Sequence, residues 1–459
     1  MIEVLRKISD SDLKIAVIGD SMLDEYFDVS VQRISPEFPI PVMHSHSQKP
    51  SVVMPGGAAN VAYQLKNLNQ HTRLVSFLDE EAYDVFSACG LDTSMCVDIS
   101  PHSVPRKRRF YSGDFPTYRW DVEMPRCGMT DRFLANRAAE LYDRVVSADF
   151  DVVIFSDYDK GVFCSDLVSG LCSRGDFPVR IVDPKRNLAR WRGCTLIKPN
   201  ASEAQNMTSE IDLRSQIAKI RSEVGSGAVV VTEGGSGFTG FDGEFFQYRN
   251  PSTACEANSV IGAGDCFLAF LGLCLGNGVP LRQSCEFAFA MGAEYVTDKH
   301  NKPLCMDRIR RRVCGSEHKM TDTACLARRD FKLVVANGCF DILHPGHISL
   351  LEFAKRQGDK LLVAVNSDAS VSRLKPGRPV CGLAHRMRMI AALECVDFVT
   401  YFEEDDPERI MSELKPDVIV KGMDYEGKRV VGAEHAKSVV LAPLLEGFST
   451  TGIISRIGT

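Results

Sequence analysis

The chain has 459 residues, 44% hydrophobic and 25% charged, a mixture that excludes a disordered or fibrous protein and exceeds what one hydrophobic core usually serves. A net charge of −6 and a pI near 6.0 give no general electrostatic reason to bind nucleic acid or an anionic membrane, so any phosphate sites must be local. The 16 cysteines are scattered, with no C-x-x-C pair and no signal peptide before them, which predicts a reducing cytoplasm; the longest apolar run, Cys266 to Leu275, is about half a membrane span.

In chain order, the first elements are the runs "KIAVIGD", "DVVIFSDYDKG", "VRIVDPK", "CTLIKPN" and "AVVVTEGG", each apolar, each ending in polar or glycine residues and followed by helical periodicity. That alternation predicts α/β structure, a parallel sheet covered by helices. Ligands on such sheets gather beyond the carboxyl ends of the strands, which singles out Asp20, Asp157, Asp183, Lys185, Asn200 and Thr232. Between the first two runs, "PGGAANVAYQLKNLN" sets Gly56 and Gly57 before a helix with Asn60 in its first turn. The glycines let backbone approach a polyol and Asn60 offers donor and acceptor to hydroxyls, although a glycine pair also serves as a plain turn. After the fifth run, "ANSVIGAGDCFLAF" leads Gly262, Ala263 and Gly264 into an apolar helix with Asp265 at its start. Its N-H groups suit an anion hole for a transferring phosphoryl group, and Asp265 reads either as the base for an attacking hydroxyl or as a helix cap.

The two glycine motifs in this order resemble the ribokinase-like sugar kinases over most of residues 10 to 310. The resemblance implies sugar contacts at Asp20, Gly56, Gly57 and Asn60. It also implies an ATP site at Asn200 and Glu203 of "NASE", near magnesium and phosphate, at Thr232, Gly234 and Gly237 of "TEGGSG", and at Gly262, Ala263 and Gly264. Asn258 and Ile261 stand where that family usually has Asp and Thr. The stretches "GDSMLDEYFDVSVQRISPEFPIPV" and "VDPKRNLARWRGCTLIKPNASEA" resemble bacterial heptose 7-phosphate kinases, whose substrate phosphate needs neutralising. Arg106, Lys107, Arg108, Arg109 and Arg119 are the candidates, through charge-assisted hydrogen bonds.

Residues 310 to 330, "RRRVCGSEHKMTDTACLARRD", are charged and poorly periodic and read as a connector. The expected domains are 1–314, a linker at 315–329, and 330–459. The last begins a second series of strands, "KLVVANG", "KLLVAVNSD", "FVTYF", "DVIVKGMDY" and "SVVLAP". At its start, "NGCFDILHPGH" places His344 and His347 around Pro345 and Gly346. A zinc site would need ligands that no other Cys or His group supplies at convincing spacing, and core packing suits two imidazoles beside Pro and Gly poorly. What remains is a strand end, a glycine turn and two histidines at a helix start, where they can bind nucleotide phosphates and stabilise charge building on the α-phosphate.

From Val334 onward the chain resembles the H-x-G-H nucleotidyltransferases of the cytidylyltransferase-like superfamily, a smaller Rossmann-like fold. The resemblance implies nucleotide and phosphate contacts at Asn337, Gly338, Phe340, Asp341, Asp368, Lys375, Arg386, Lys421, Gly422 and Asp424. It adds Ser449, Thr450 and Thr451 of "FSTTGIISRI", which as a bare sequence read equally as a helix cap. Pro345 and Cys339 depart from the related pattern without touching the atoms expected to react.

The fusion of these modules in this order resembles the bifunctional heptose kinases and adenylyltransferases of ADP-heptose synthesis, which serves lipopolysaccharide core assembly. It implies ATP as substrate of both reactions, magnesium bridging its phosphates with no dedicated protein metal site, sugar phosphates as partners, and a homodimer through the kinase domain. Two alternatives stay open: a kinase and cytidylyltransferase acting on another sugar or polyol phosphate, and a degenerate, ligand-binding kinase domain that supports the transferase.

Overall fold

The computed structural model describes residues 1–459 apart from 10, 46, 70, 114, 124–130, 164–165, 251–260, 299–301, 315–318, 321–325, 327–328, 330, 444 and 446–459. The chain divides into two compact units, Met1–Val313 and Cys314–Thr459.

In the first unit the five apolar runs form Ile15–Gly19, Val152–Ser156, Val179–Asp183, Leu196–Ile197 and Ala228–Thr232. Runs of Val and Ile without alternation suit strands covered on both faces, and Ile15–Gly19 and Val152–Ser156 are buried at every residue. They lie in an eight-stranded sheet with Thr72–Val75 at one edge and Gly237–Asp242 and Glu244–Arg249 at the other. The six strands from Thr72–Val75 to Ala228–Thr232 pair in parallel, and the last two pair antiparallel. Helix Ala263–Gly276 is buried along Asp265–Cys274, as its unbroken apolar sequence requires.

A second sheet, absent from the sequence reading, orders Phe115–Val122, Arg106–Ser112, Ser21–Asp28 and Val52–Gly57. Arg106–Ser112 reads "RKRRFYS", whose charges hide its alternation. Its pairing carboxylates come from Ser21–Asp28, the strand that directly follows Ile15–Gly19.

The second unit holds, among its described residues, a five-stranded parallel sheet, ordered Phe398–Phe402, Lys360–Asn366, Leu333–Gly338, Val418–Gly422, Ser438–Ala442. Period-two alternation sends Val334 and Ala336 into one core layer and Leu333 and Val335 into the other. The strand order reverses between Leu333–Gly338 and Val418–Gly422, the switch point where an open sheet leaves a crevice at its carboxyl ends. The described residues of the expected connector pack within this unit. Leu326 joins its core, Met320 bridges to Val399, and Arg329 donates to the carbonyls of Leu414 and Lys415, each at 2.7 Å.

Candidate functional sites

In the first unit Val52–Gly57 runs into helix Ala58–Leu65, so Asn60 stands in the first turn as expected. Its amide donates to Asp265 Oδ2 at 2.8 Å, and Gln64 donates to Asn60 Oδ1 at 3.0 Å. The other Asp265 oxygen accepts the Tyr158 hydroxyl at 2.6 Å. Asp265 therefore sits buried at the start of Ala263–Gly276 between two side-chain donors. Burial raises its pKa, the Tyr158 and Asn60 hydrogen bonds oppose that, Asp24 adds to it and Lys107 opposes it.

Gly262 caps this helix at φ 74°, a left-handed conformation, and a β-carbon there would stand 2.7 Å from both Asn60 Nδ2 and the Tyr295 hydroxyl. Around Gly264 a β-carbon would meet nothing within 4 Å. The motif thus presents open backbone at a helix N-terminus directly before a buried carboxylate, an arrangement suited to an incoming anion.

Asp20 lies at the carboxyl end of Ile15–Gly19, but its carboxylate is engaged by backbone: Oδ2 accepts from Tyr158 N (2.9 Å) and Lys160 N (3.0 Å), and Oδ1 from Val162 N (2.9 Å). It shapes the 158–162 loop that presents Tyr158. Asp24, four residues on, is buried, ion-paired to Arg109 at 2.8 Å, and has Oδ2 3.1 Å from where a Gly56 β-carbon would sit. Gly56 and Gly57 pair with Met22 and Ser21 of the neighbouring strand.

Asn200 caps helix Ala201–Thr208 in a reciprocal box: its side chain accepts from Glu203 N at 2.9 Å, and Glu203 Oε2 accepts from Asn200 N at 3.0 Å. Lys185 reaches Glu203 Oε1 at 2.9 Å, and Asn200 bridges to Thr232 on the next strand end. Asp183 pairs with Lys198 at 3.1 Å; burial raises its pKa, with Glu203 and Asp265 adding to it. Gly234 begins the one-turn 3₁₀ segment Gly234–Ser236. Gly237 follows at φ 128°, with a β-carbon position 2.1 Å from the Tyr248 carbonyl oxygen, so it serves strand pairing. Asn258 lies outside the described residues.

In the second unit His344 caps helix Pro345–Lys355, with Pro345 in its first position. The His344 and His347 rings stack, centroids 3.8 Å apart and planes at 18°, and Phe340 meets His347 edge-on at 5.1 Å. Both Nδ1 atoms are buried without a hydrogen-bond partner, as are Asn337 Oδ1 and Asp341 Oδ2. Buried polar atoms rarely stay unpaired, so four of them at one strand end mark a place for a polar ligand. Burial lowers the pKa of both histidines; that of His347 falls to about 4, with His344 and Lys375 contributing. Lys421, at the end of Val418–Gly422, has its pKa lowered to about 8 by burial, with Asp424 and Cys339 opposing that, and lies 4.7 Å over the Tyr425 ring. Gly422 caps the short segment Met423–Tyr425 that carries the exposed Asp424.

Arg386 has no exposed surface: it donates to Cys381 O (2.8 Å), Cys339 O (2.6 Å), Asn366 O (2.8 Å) and Asp368 Oδ1 (2.7 Å). It braces the glycine turn after Leu333–Gly338 against the end of Lys360–Asn366. Asp341 Oδ1 accepts from Val380 N (2.8 Å) and Cys381 N (2.9 Å) and ties the same segment. Lys375 is exposed at the end of Asp368–Leu374. Ser449, Thr450 and Thr451 lie outside the described residues.

The pfkB family carbohydrate kinase profile matches residues 138–305, and the cytidylyltransferase-like profile matches residues 335–455. Bifunctional protein HldE of Nitratiruptor sp. is 35% identical, over 97% of this chain and 99% of its own length. That of Gluconobacter oxydans is 36% identical, over 96% and 97%. The chain belongs to the HldE family of bifunctional proteins. Escherichia coli phosphofructokinase-2, at TM-score 0.52 and 18% identity, covers 65% of this HldE-family chain and 97% of its own. Arabidopsis thaliana ribokinase, solved with ribose and ATP, aligns at TM-score 0.50 and 17% identity over 66% and 99%. Both give the ribokinase-like fold to the first part of the chain.

Two residues near Asp265 escaped the sequence reading. Tyr158 follows Asp157 in "DYDKG", and its only signal was its place just past a strand end. Asp24 had a signal in its separation from Asp20, since the strand Ser21–Asp28 carries it four residues beyond the sheet end to the second sheet.

Proposed function

We propose that the first unit transfers the γ-phosphoryl group of ATP to the anomeric hydroxyl of D-glycero-β-D-manno-heptose 7-phosphate, giving the 1,7-bisphosphate and ADP. After a separate phosphatase has removed the 7-phosphate, the second unit joins heptose 1-phosphate to the AMP moiety of a second ATP, giving ADP-heptose and pyrophosphate. The observation that carries this reading is full-length HldE likeness over a chain whose two units each hold a phosphate-suited helix start: Asp265 behind Gly262–Gly264, and the stacked His344 and His347.

In the kinase step Asp265 takes the hydroxyl proton as the sugar oxygen bonds to the γ-phosphorus and the bond to the ADP oxygen breaks. Tyr158 and Asn60 hold the carboxylate in place. Asp24, beside Gly56, takes the sugar-facing place that the family resemblance gave to Asp20. In the transferase step an oxygen of the sugar phosphate attacks the α-phosphorus and pyrophosphate leaves, so no side-chain nucleophile is needed. His344, His347 and Lys421 face the phosphates, Lys375 adds charge at the rim, and Arg386 positions the turn that carries Asn337 to Asp341. Magnesium arriving with the triphosphate would supply charge neutralisation. Among the described residues no group of three or more His, Cys, Asp or Glu could hold a metal, and Glu203 with the crowded Asp183 would be its kinase-side carboxylates. A cytoplasmic homodimer joined through the kinase unit completes the proposal.

The test is a product assay on the purified chain with ATP or CTP, offering heptose 7-phosphate and heptose 1-phosphate in separate reactions. The bisphosphate in one and ADP-heptose with pyrophosphate in the other are expected. ADP-heptose without bisphosphate would make the first unit a ligand-binding module, and a preference for CTP would make the second a cytidylyltransferase.

A further inference from the structure

Five basic residues lie on the strand pair Arg106–Ser112 and Phe115–Val122, and four of them are engaged by carboxylates. Arg106 pairs with Glu25 at 3.0 Å and Glu81 at 2.7 Å, Arg108 with Glu25 at 2.7 Å, and Arg109 with Asp24 at 2.8 Å. Arg119 holds both oxygens of Asp121 at 2.7 Å. Lys107 is different: among the described residues it forms no ion pair.

Strand geometry explains the exception. Arg106 and Arg108 point to the face that carries Glu25, while Lys107 shares the opposite face with Arg109 and Asp24. Asp121 stands directly across from Lys107 in register, but Arg119 holds it. The Lys107 ammonium instead lies 5.3 Å over the ring of Tyr158, whose hydroxyl bonds Asp265 at 2.6 Å. The charged groups around it are Asp24 and Asp265, which favour its charge, and Arg119 and Arg109, which oppose it; burial is the larger influence and lowers its pKa. A partly buried ammonium without a counterion is unfavourable, and an anion beside it removes that cost.

We propose that Lys107 is a phosphate-binding subsite of the kinase unit, gripping a phosphoryl group at the Asp265 centre: either the phosphate that the sugar already carries or the group in transit from ATP. The four arginines then serve to build the sheet and to engage the carboxylates, Asp24 and Asp121 among them, that stand across from Lys107. This inference rests on the kinase reading above and adds to it a basic residue that grips a phosphoryl group at the Asp265 centre.

The test uses the full-length chain as wild type, Lys107→Met, which keeps the aliphatic stem, and Lys107→Arg, which keeps the charge. Steady-state kinetics are measured with ATP and either heptose 7-phosphate or unphosphorylated heptose. Loss of one charge-assisted contact predicts a fall of about 10-fold to 100-fold in kcat/KM for Lys107→Met, with Lys107→Arg retaining a larger share. A rise in KM confined to the phosphorylated sugar, with preference over free heptose lost, supports the grip on the sugar phosphate. An equal fall in kcat with both sugars supports the grip on the phosphoryl group in transit. Kinetics of Lys107→Met matching wild type, or equal losses in both variants at unchanged melting temperature, would overturn the proposal. A wild-type chain that makes no bisphosphate would instead overturn the kinase reading itself.

Discussion

Asp265 has one oxygen on Tyr158 and the other on Asn60, and a base held this way titrates as its donors dictate. Burial raises its pKa and the phenol lowers it, so removing the phenol raises it further. The base works deprotonated; Tyr158→Phe should therefore move the acid limb of the kinase kcat/KM profile to higher pH, with activity regained as pH rises. An acid limb that stays in place would limit Tyr158 to a packing role. At the other site, His347 in the free chain should titrate near pH 4, because burial and its neighbour His344 disfavour the charged ring. Bound phosphate favours the imidazolium, so ATP should move the NMR midpoint upward. An unmoved midpoint would separate His347 from the phosphates. Residues such as these show where sequence reading stops. Asp265, His344 and His347 could be picked out because each stands in a fixed local pattern at the start of a helix. Arg386 reads in sequence as an anion holder, yet its guanidinium bonds four protein oxygens, a fact set by chain segments far apart in the sequence.

At the scale of elements, helix Ala263–Gly276 and the edge pair Gly237–Asp242 with Glu244–Arg249 both begin at glycines, for different reasons. Gly264 faces open space, so Gly264→Ala should fold with an unchanged or slightly higher melting temperature, alanine being the better helix former. The added methyl occupies the anion's place, and the kinase rate should fall about 10²-fold, the usual cost of losing one such donor. Gly237→Ala should instead destabilise by about 1 to 3 kcal/mol or more, because its φ of 128° and the Tyr248 carbonyl leave no room for a side chain. Thermal melts with kinase assays on both variants check the pair; normal kinase turnover in Gly264→Ala would remove the anion role of that loop. The parallel strands were readable from unbroken Val and Ile runs. The sheet holding Arg106–Ser112 was not, since its charged side chains are matched by carboxylates of Ser21–Asp28, a long-range pairing that no local periodicity displays.

At the scale of the whole molecule, two units with different glycine motifs were legible, whereas the start of the second was not, because Leu326 and Arg329 sit in a charged stretch that reads as a connector. Asp265 lies in one unit and His344 with His347 in the other, and separate folds in one chain act independently unless something couples them. Full-length Asp265→Asn should therefore lose about 10²-fold or more in bisphosphate formation, the usual contribution of a general base, while making ADP-heptose from heptose 1-phosphate at the wild-type rate. His347→Ala should do the reverse, losing about 10²-fold to 10³-fold in adenylyl transfer with kinase turnover intact. Both rates are measured on the same preparations. If Asp265→Asn slowed adenylyl transfer, the two reactions would be coupled and the fusion would do more than join two catalysts; if each variant lost only its own reaction, covalent linkage alone would account for the pairing.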